Sequence, residues 1–167
     1  LLGVLKAGMI VVNTNPLYSV REMVHQFNDS GAKALIVLAN VAADTAKALP
    51  ETGIGKVIIT EAADLHPTFK RVLINFVAKH VKKLVPQFEI ANRISLREAL
   101  NLGSKAAHVP SSAKFEEVAM LQYTGGTTGL SKGAMLTHGN LVSNLMQFMT
   151  MTKSYGFTDG GEVNILP

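Results

Sequence analysis

Between Tyr123 and Gly133 the chain reads YTGGTTGLSKG, a run with four glycines, four aliphatic hydroxyls and one lysine in eleven positions. These residue types suit the binding of a phosphate chain. Such a ligand is held by backbone N–H groups turned inward, by hydroxyls that donate and by a cation that offsets its charge, while glycines let the backbone come close. Spacing excludes two common versions of this chemistry. A Walker A loop needs Ser or Thr after its lysine, and here Gly133 follows Lys132; the dinucleotide fingerprint needs GxGxxG, and here the glycines fall as GGxxG. The plainer alternative is a flexible connection between strands. The apolar run before the loop, the lysine near its end and the doubled threonine Thr127 and Thr128 argue against it.

Elements able to present such a loop lie on both sides of it. EVAMLQYT (Glu117 to Thr124) predicts a strand running into the loop and GAMLT (Gly133 to Thr137) a strand leaving it. Leu141, Leu145 and Met149 then mark a helix; His138 either initiates it, with Thr137 as its cap, or approaches a ligand from the end of the strand. Upstream, MIVVN (Met9 to Asn13) predicts a buried strand. Ser19 and Glu22 form a capping box ahead of Val20, Met23, Val24 and Phe27 at helical spacing, and Gly31 closes that helix. KALIVLA (Lys33 to Ala39) predicts a strand, Val41 to Leu49 a helix and KVIIT (Lys56 to Thr60) a strand. This alternation implies right-handed crossovers and an α/β fold of mainly parallel sheets flanked by helices, with the strands at Met9–Asn13, Lys33–Ala39 and Lys56–Thr60 in one sheet. The expected organisation is a βαβ portion over 1–64, a helical and irregular insertion over 65–112, and a strand, loop, strand and helix over 113–167. Within the insertion a long helical pattern precedes a second capping box at Ser95 and Glu98.

Composition excludes several classes of protein. With 47% hydrophobic and 17% charged residues the chain has a globular balance, not a disordered one. The absence of cysteine excludes thiolate zinc sites, disulfide frameworks and a cysteine nucleophile, and is compatible with a reducing cytoplasm. No apolar run approaches the roughly 20 residues of a membrane-spanning helix. Aromatic residues make up 6%, tryptophan is absent and no RNA-binding or zinc-finger signature occurs, so nucleic acid is not an expected partner. The formal charge of +4 is concentrated: five Lys or Arg and no Asp or Glu fall between Leu65 and Phe88. In FKRVLINFVAKHVKKLVPQF, Phe69, Val72, Leu73, Phe76, Val77, Val81 and Leu84 share one helical face, and Lys70, Arg71, Lys79, Lys82 and Lys83 lie largely off it. Two readings stay open for 69–84. One is an interfacial helix on an anionic membrane; the other is a helix packed on its own domain with a solvated basic face. His25, His66, His80 and His108 lack metal-ligand spacing and are assigned structural or surface roles. Met135, Met146, Met149 and Met151 suit either core filling or a lipid pocket.

The loop sequence resembles the phosphate-binding signature of the adenylate-forming enzymes, commonly YTSGTTGxPKG. This superfamily includes acyl-CoA synthetases, luciferases and peptide-synthetase adenylation domains. Two positions depart from the pattern, Gly125 in place of serine and Ser131 in place of proline. LQYTGG, GAMLTHGN and the stretch LKAGMIVVNTNPLYSVREMVHQFNDSGAKALIV (Leu5 to Val37) are most similar to bacterial long-chain fatty acid:CoA ligases. The resemblance implies a piece of the large N-terminal domain of such an enzyme, which uses ATP, Mg2+ and coenzyme A to convert a fatty acid first to an acyl-adenylate and then to a thioester. It implies that Thr124, Thr127 and Thr128 are the hydroxyls, Gly125, Gly126 and Gly129 the backbone donors and Lys132 the cation that hold the β- and γ-phosphates. Ser131 removes a proline that stiffens the loop, which bears on rigidity more than on phosphate binding. The family's magnesium-binding Glu, ribose-binding Asp and catalytic Lys fall in segments outside 1–167. No catalytic or metal-ligating residue is therefore assigned within the chain, which alone is expected to be an incomplete catalyst.

Fatty acid, ATP and coenzyme A are thus the expected partners, in the cytoplasm, with peripheral contact at the inner membrane through 69–84 as one option and a homodimer as one open arrangement. Two alternatives remain: a ligase for another carboxylic acid, and a non-catalytic nucleotide-binding or membrane-associated module that keeps the loop.

Overall fold

The computed structural model describes residues 1–107, 111–124 and 131–154. In chain order the elements are α1 (Leu2–Lys6), β1 (Val11–Asn13), α2 (Val20–Ser30), β2 (Ala34–Leu38), α3 (Ala42–Ala48), β3 (Lys56–Thr60), α4 (Thr68–Phe76), β4 (Arg93–Ser95), α5 (Leu96–Ser104), β5 (Val118–Thr124), β6 (Lys132–Thr137) and α6 (His138–Ser154). A 3-10 turn at Leu49–Glu51 follows α3, and a π-helical turn at Val77–Val81 follows α4. The strands form two sheets, ordered β1-β5-β6 and β2-β3-β4. Among the described residues no helix is long and apolar enough to cross a membrane.

The chain divides into two compact units. One comprises Leu1–Val11, Pro110–Gln122 and Ala134–Pro167; the other comprises Val12–Val109 and Tyr123–Gly133.

In the second unit β2, β3 and β4 are parallel, with Ala34 opposite Lys56, Leu38 opposite Thr60 and Val57 opposite Arg93. Val37, Ala39, Ala42, Val57 and Ile59 form the core on this sheet, as expected where helices cover parallel strands. The helix α2 is written into the sequence at both ends. The Glu22 backbone N–H donates to Ser19 Oγ at 3.4 Å and the Ser19 N–H to Glu22 Oε2 at 2.8 Å, a complete capping box. The Ser19 hydroxyl and then its N–H hold the Glu22 carboxyl below its ordinary pKa. Gly31 closes the helix at φ 63°, a left-handed conformation that costs glycine nothing. Between these ends Met23 and Phe27 are buried with Ala48 of α3, the Met and Phe side chains each contributing about 1.5–3 kcal/mol of apolar burial.

In the first unit Ala119 and Met120 of β5 are buried. The start of α6 carries a reciprocal cap, Asn140 N–H to Thr137 Oγ1 at 3.1 Å and Thr137 N–H to Asn140 Oδ1 at 2.9 Å. Thr137 caps the helix and His138 begins it, as the sequence predicts. The next residue, Gly139, donates its N–H to the Phe115 carbonyl at 2.8 Å. An added Cβ there would lie 2.5 Å from the Phe115 ring, so only glycine fits.

Four expectations are corrected. β1 does not join β2 and β3; it lies in the sheet with β5 and β6. The sequence reading assumed that successive strands are neighbours, which is a tendency only, and β1 instead finds a strand more than a hundred residues downstream. The basic helix does not run from 69 to 84. After Phe76 the backbone widens, with Lys82 N–H bonding to Val77 O at 2.8 Å, and Lys83 takes φ 50° while Leu84 N–H closes onto Ala78 O at 2.9 Å. That last bond, reaching back six residues, ends the helix and takes Leu84 off its face. Finally, Arg93–Ser95 is a short strand within the supposed helical insertion, and Ser95 caps α5 with one bond, from Glu98 N–H at 3.1 Å. The late methionines do not fill a core: Met135, Met146, Met149 and Met151 are all exposed.

Candidate phosphate-binding site

Of the proposed phosphate-binding residues, Thr124 is the last of β5 and Lys132 the first of β6, and both are exposed. Gly125, Gly126, Thr127, Thr128 and Gly129 lie outside the described residues. β5 and β6 are neighbours in their sheet. Tyr123 and Gly133 bring the two strand ends side by side: a Cβ on Gly133 would stand 2.9 Å from Tyr123 Cζ. Gly133 is therefore needed for lack of a side chain, since the tyrosine ring occupies that space.

The helix α2 holds both ends. Tyr123, 6% exposed, donates its hydroxyl hydrogen to Asp29 Oδ2 at 2.5 Å. Burial, then this hydrogen bond and the negative charge of Asp29, push the Tyr123 phenol up to about 12. Just ahead of the other strand, His25 Nε2 lies 3.0 Å from the Ser131 carbonyl oxygen. A carbonyl accepts and never donates, so Nε2 carries the hydrogen in this contact. Between them in sequence, the fully buried Gln26 donates Nε2–H to the carbonyl of Asn13, at the end of β1, over 2.9 Å. His25 and Asp29 are four residues apart, one helical turn and about 6 Å along the axis, which is commensurate with the roughly 4.8 Å between adjacent strands.

His25 and Asp29 were not singled out by sequence reasoning beyond a structural or surface role for His25. Neither forms a motif with the loop, and their contacts span 106 and 94 residues of sequence. A tyrosine two residues before the glycines, whose phenol needs a hydrogen-bond partner once its ring is buried, is the one local signal that a partner must exist.

Two further features do not join this site. A groove of about 650 Å³ is lined by Ala39, Ile59, Glu61, Phe88, Arg93 and neighbours, and includes neither Thr124 nor Lys132. The site is thus assigned from its donors and cation, not from cavity size. Among the described residues no three His, Asp or Glu side chains converge to hold a metal ion, so none is assigned to magnesium.

The fold is a mixed α/β one with parallel strands, and comparison with known proteins gives the family. Residues 1–166 match the family of AMP-binding enzymes, and the chain belongs to that family. It is 49% identical over 147 residues to a long-chain-fatty-acid–CoA ligase of Escherichia coli O157:H7, covering 88% of this chain and 26% of that protein. A ligase of the same description from Haemophilus influenzae is 47% identical over the same shares. Among solved structures, a long-chain-fatty-acid-CoA ligase from Archaeoglobus fulgidus superposes with a TM-score of 0.61 at 28% identity, over 93% of this chain and 24% of that one. The chain therefore spans about a quarter of the length of the relatives it matches.

Proposed function

We propose that the chain is part of the large N-terminal domain of a long-chain fatty acid:CoA ligase, with 1–64 its βαβ portion, 65–112 an insertion and 113–167 the segment that carries the phosphate loop. In the full-length enzyme a fatty acid carboxylate attacks the α-phosphorus of ATP, the bond to pyrophosphate breaks, and acyl-AMP forms. The coenzyme A thiol then attacks the acyl carbonyl and AMP leaves. The loop makes no bond in either step. Thr124, Thr127 and Thr128 donate to the β- and γ-phosphates together with the N–H groups of Gly125, Gly126 and Gly129, and Lys132 offsets charge on the departing pyrophosphate. This is positioning and electrostatic stabilisation, aimed at charge that develops as the bond breaks.

The observation that supports this reading most is the side-by-side arrangement of the β5 and β6 ends, which carries a hydroxyl and an exposed cation to the two rims of one glycine-rich loop. It is tested by thioester formation in the full-length protein with ATP, coenzyme A and acids of different length. Turnover with a long-chain fatty acid supports the reading. Turnover only with another acid moves the specificity, and no turnover with any acid favours a non-catalytic module.

A second reading concerns location. The apolar residues Phe69, Val72, Leu73 and Phe76 of α4 are exposed, beside Lys70 and ahead of Lys79 and Lys82. In the full-length protein this segment makes reversible contact with an anionic bilayer, the source of the poorly soluble substrate.

A further inference from the structure

The loop's chemistry rests on groups at its two rims, and a hydroxyl or an ammonium contributes to a transition state only if it is held where charge develops. Neither Thr124 nor Lys132 is held by its own side chain among the described residues; both are exposed. What holds them is one residue away in each case. Tyr123 is bonded to Asp29 and Ser131 to His25, through two side chains on one face of one capped helix. That helix is itself tied to the end of β1 by Gln26 and packed into the core by Met23 and Phe27. A surface helix with no task at the loop would have no need to place two polar side chains on two neighbouring strand ends.

We propose that His25 and Asp29 are positioning residues for the phosphate-binding segment, Asp29 fixing Thr124 through Tyr123 and His25 fixing Lys132 through the Ser131 carbonyl. The inference rests on the functional reading above and adds to it a rigid platform outside the signature sequence. It also gives a reason for tolerance of Ser131 where a proline is common: rigidity that a proline ring supplies locally is supplied here by a hydrogen bond from α2. Neither side chain touches ATP. Loss of either anchor leaves Thr124 and Lys132 present but no longer fixed, so the chemical step suffers more than folding does.

The experiment is ATP–pyrophosphate exchange in the full-length enzyme with a long-chain fatty acid, measured per folded molecule. Asp29→Ala, Tyr123→Phe and His25→Leu are each expected to lower kcat about tenfold, within the range by which small misplacements act. Asp29→Asn keeps an oxygen that accepts from Tyr123, and His25→Gln keeps an N–H for Ser131, so both are expected to recover most of the loss. The double variant Asp29→Ala with Tyr123→Phe is expected to be no worse than either single one, because the two groups act as a pair. A merely structural role would lower thermal stability and leave exchange per folded molecule at the parent value; that result, or additive losses in the double variant, would overturn the proposal. Lys132→Ala in the same assay separates the two levels. If it abolishes exchange while the α2 variants exchange at the parent rate, only the platform fails; if it too has no effect, the functional reading falls and this inference with it.

Discussion

Tyr123 and Asp29 meet across 94 residues of sequence, phenol hydrogen to carboxylate oxygen at 2.5 Å, and the same tyrosine ring fills the space that a side chain on Gly133 would need. One side chain thereby ties together the strand before the glycine loop, the strand after it and the helix beside both. Two consequences can be measured on stability alone.

The first is a pH dependence. The folded chain favours the neutral phenol, whose pKa is raised from 10.0 to about 12. A group raised on folding contributes stability that is complete below its unfolded value and lost as pH rises through the folded one. Urea midpoints of the parent should therefore fall between about pH 10 and about pH 12 by more than those of Tyr123→Phe, which has nothing to ionise there. Identical declines in the two proteins would show that Tyr123 is not held neutral by its site.

The second is steric. Gly133→Ala puts a methyl 2.9 Å from Tyr123 Cζ, against a ring that cannot swing away without breaking its bond to Asp29. The expected loss is about 1–3 kcal/mol, as for other overpacked sites. Adding Tyr123→Ala should make the glycine replacement nearly neutral. A costless single replacement by chemical denaturation would contradict the contact.

Lys83 offers a change of the opposite sign. It holds φ 50° at the end of the widened helical turn, a conformation costing an L-residue about 1–2 kcal/mol and glycine little. Lys83→Gly should raise stability by about 1 kcal/mol, read as a higher urea midpoint at an unchanged slope. A lower midpoint would mean that the lysine side chain contributes more than its backbone costs.

Charge at the same segment tests location. Lys70, Lys79 and Lys82 reversed to Glu in the full-length protein should reduce co-sedimentation with anionic vesicles, and salt should release the parent, because surface attraction is screened over about 8 Å at physiological ionic strength. Equal sedimentation of the two proteins at low salt would return α4 to a helix with a solvated basic face.

The features legible in the sequence are those fixed by neighbouring residues. Ser19, Glu22 and Gly31 set the ends of α2, Thr137 set the start of α6, and the runs at 34–38, 56–60 and 118–124 were strands as read. The signature residues named a family without any help from geometry. What could not be read was set by partners far along the chain. The sheet that β1 joins, the three-residue strand β4 and the contacts of His25 and Asp29 all depend on which distant backbone arrives beside them. The early end of the basic helix lies between these cases, because the apolar face continues in sequence past the point where the backbone turns at Lys83.

The central claim is that this chain carries the phosphate-binding loop of an acyl-CoA-forming ligase, and Lys132 tests it most directly. In the full-length protein, Lys132→Ala should retain the parent's thermal unfolding profile and lose about a hundredfold in ATP–pyrophosphate exchange with a long-chain fatty acid, the scale seen when one preorganised group is removed from a developing charge. A correctly folded Lys132→Ala protein that exchanges pyrophosphate at the parent rate would contradict the account.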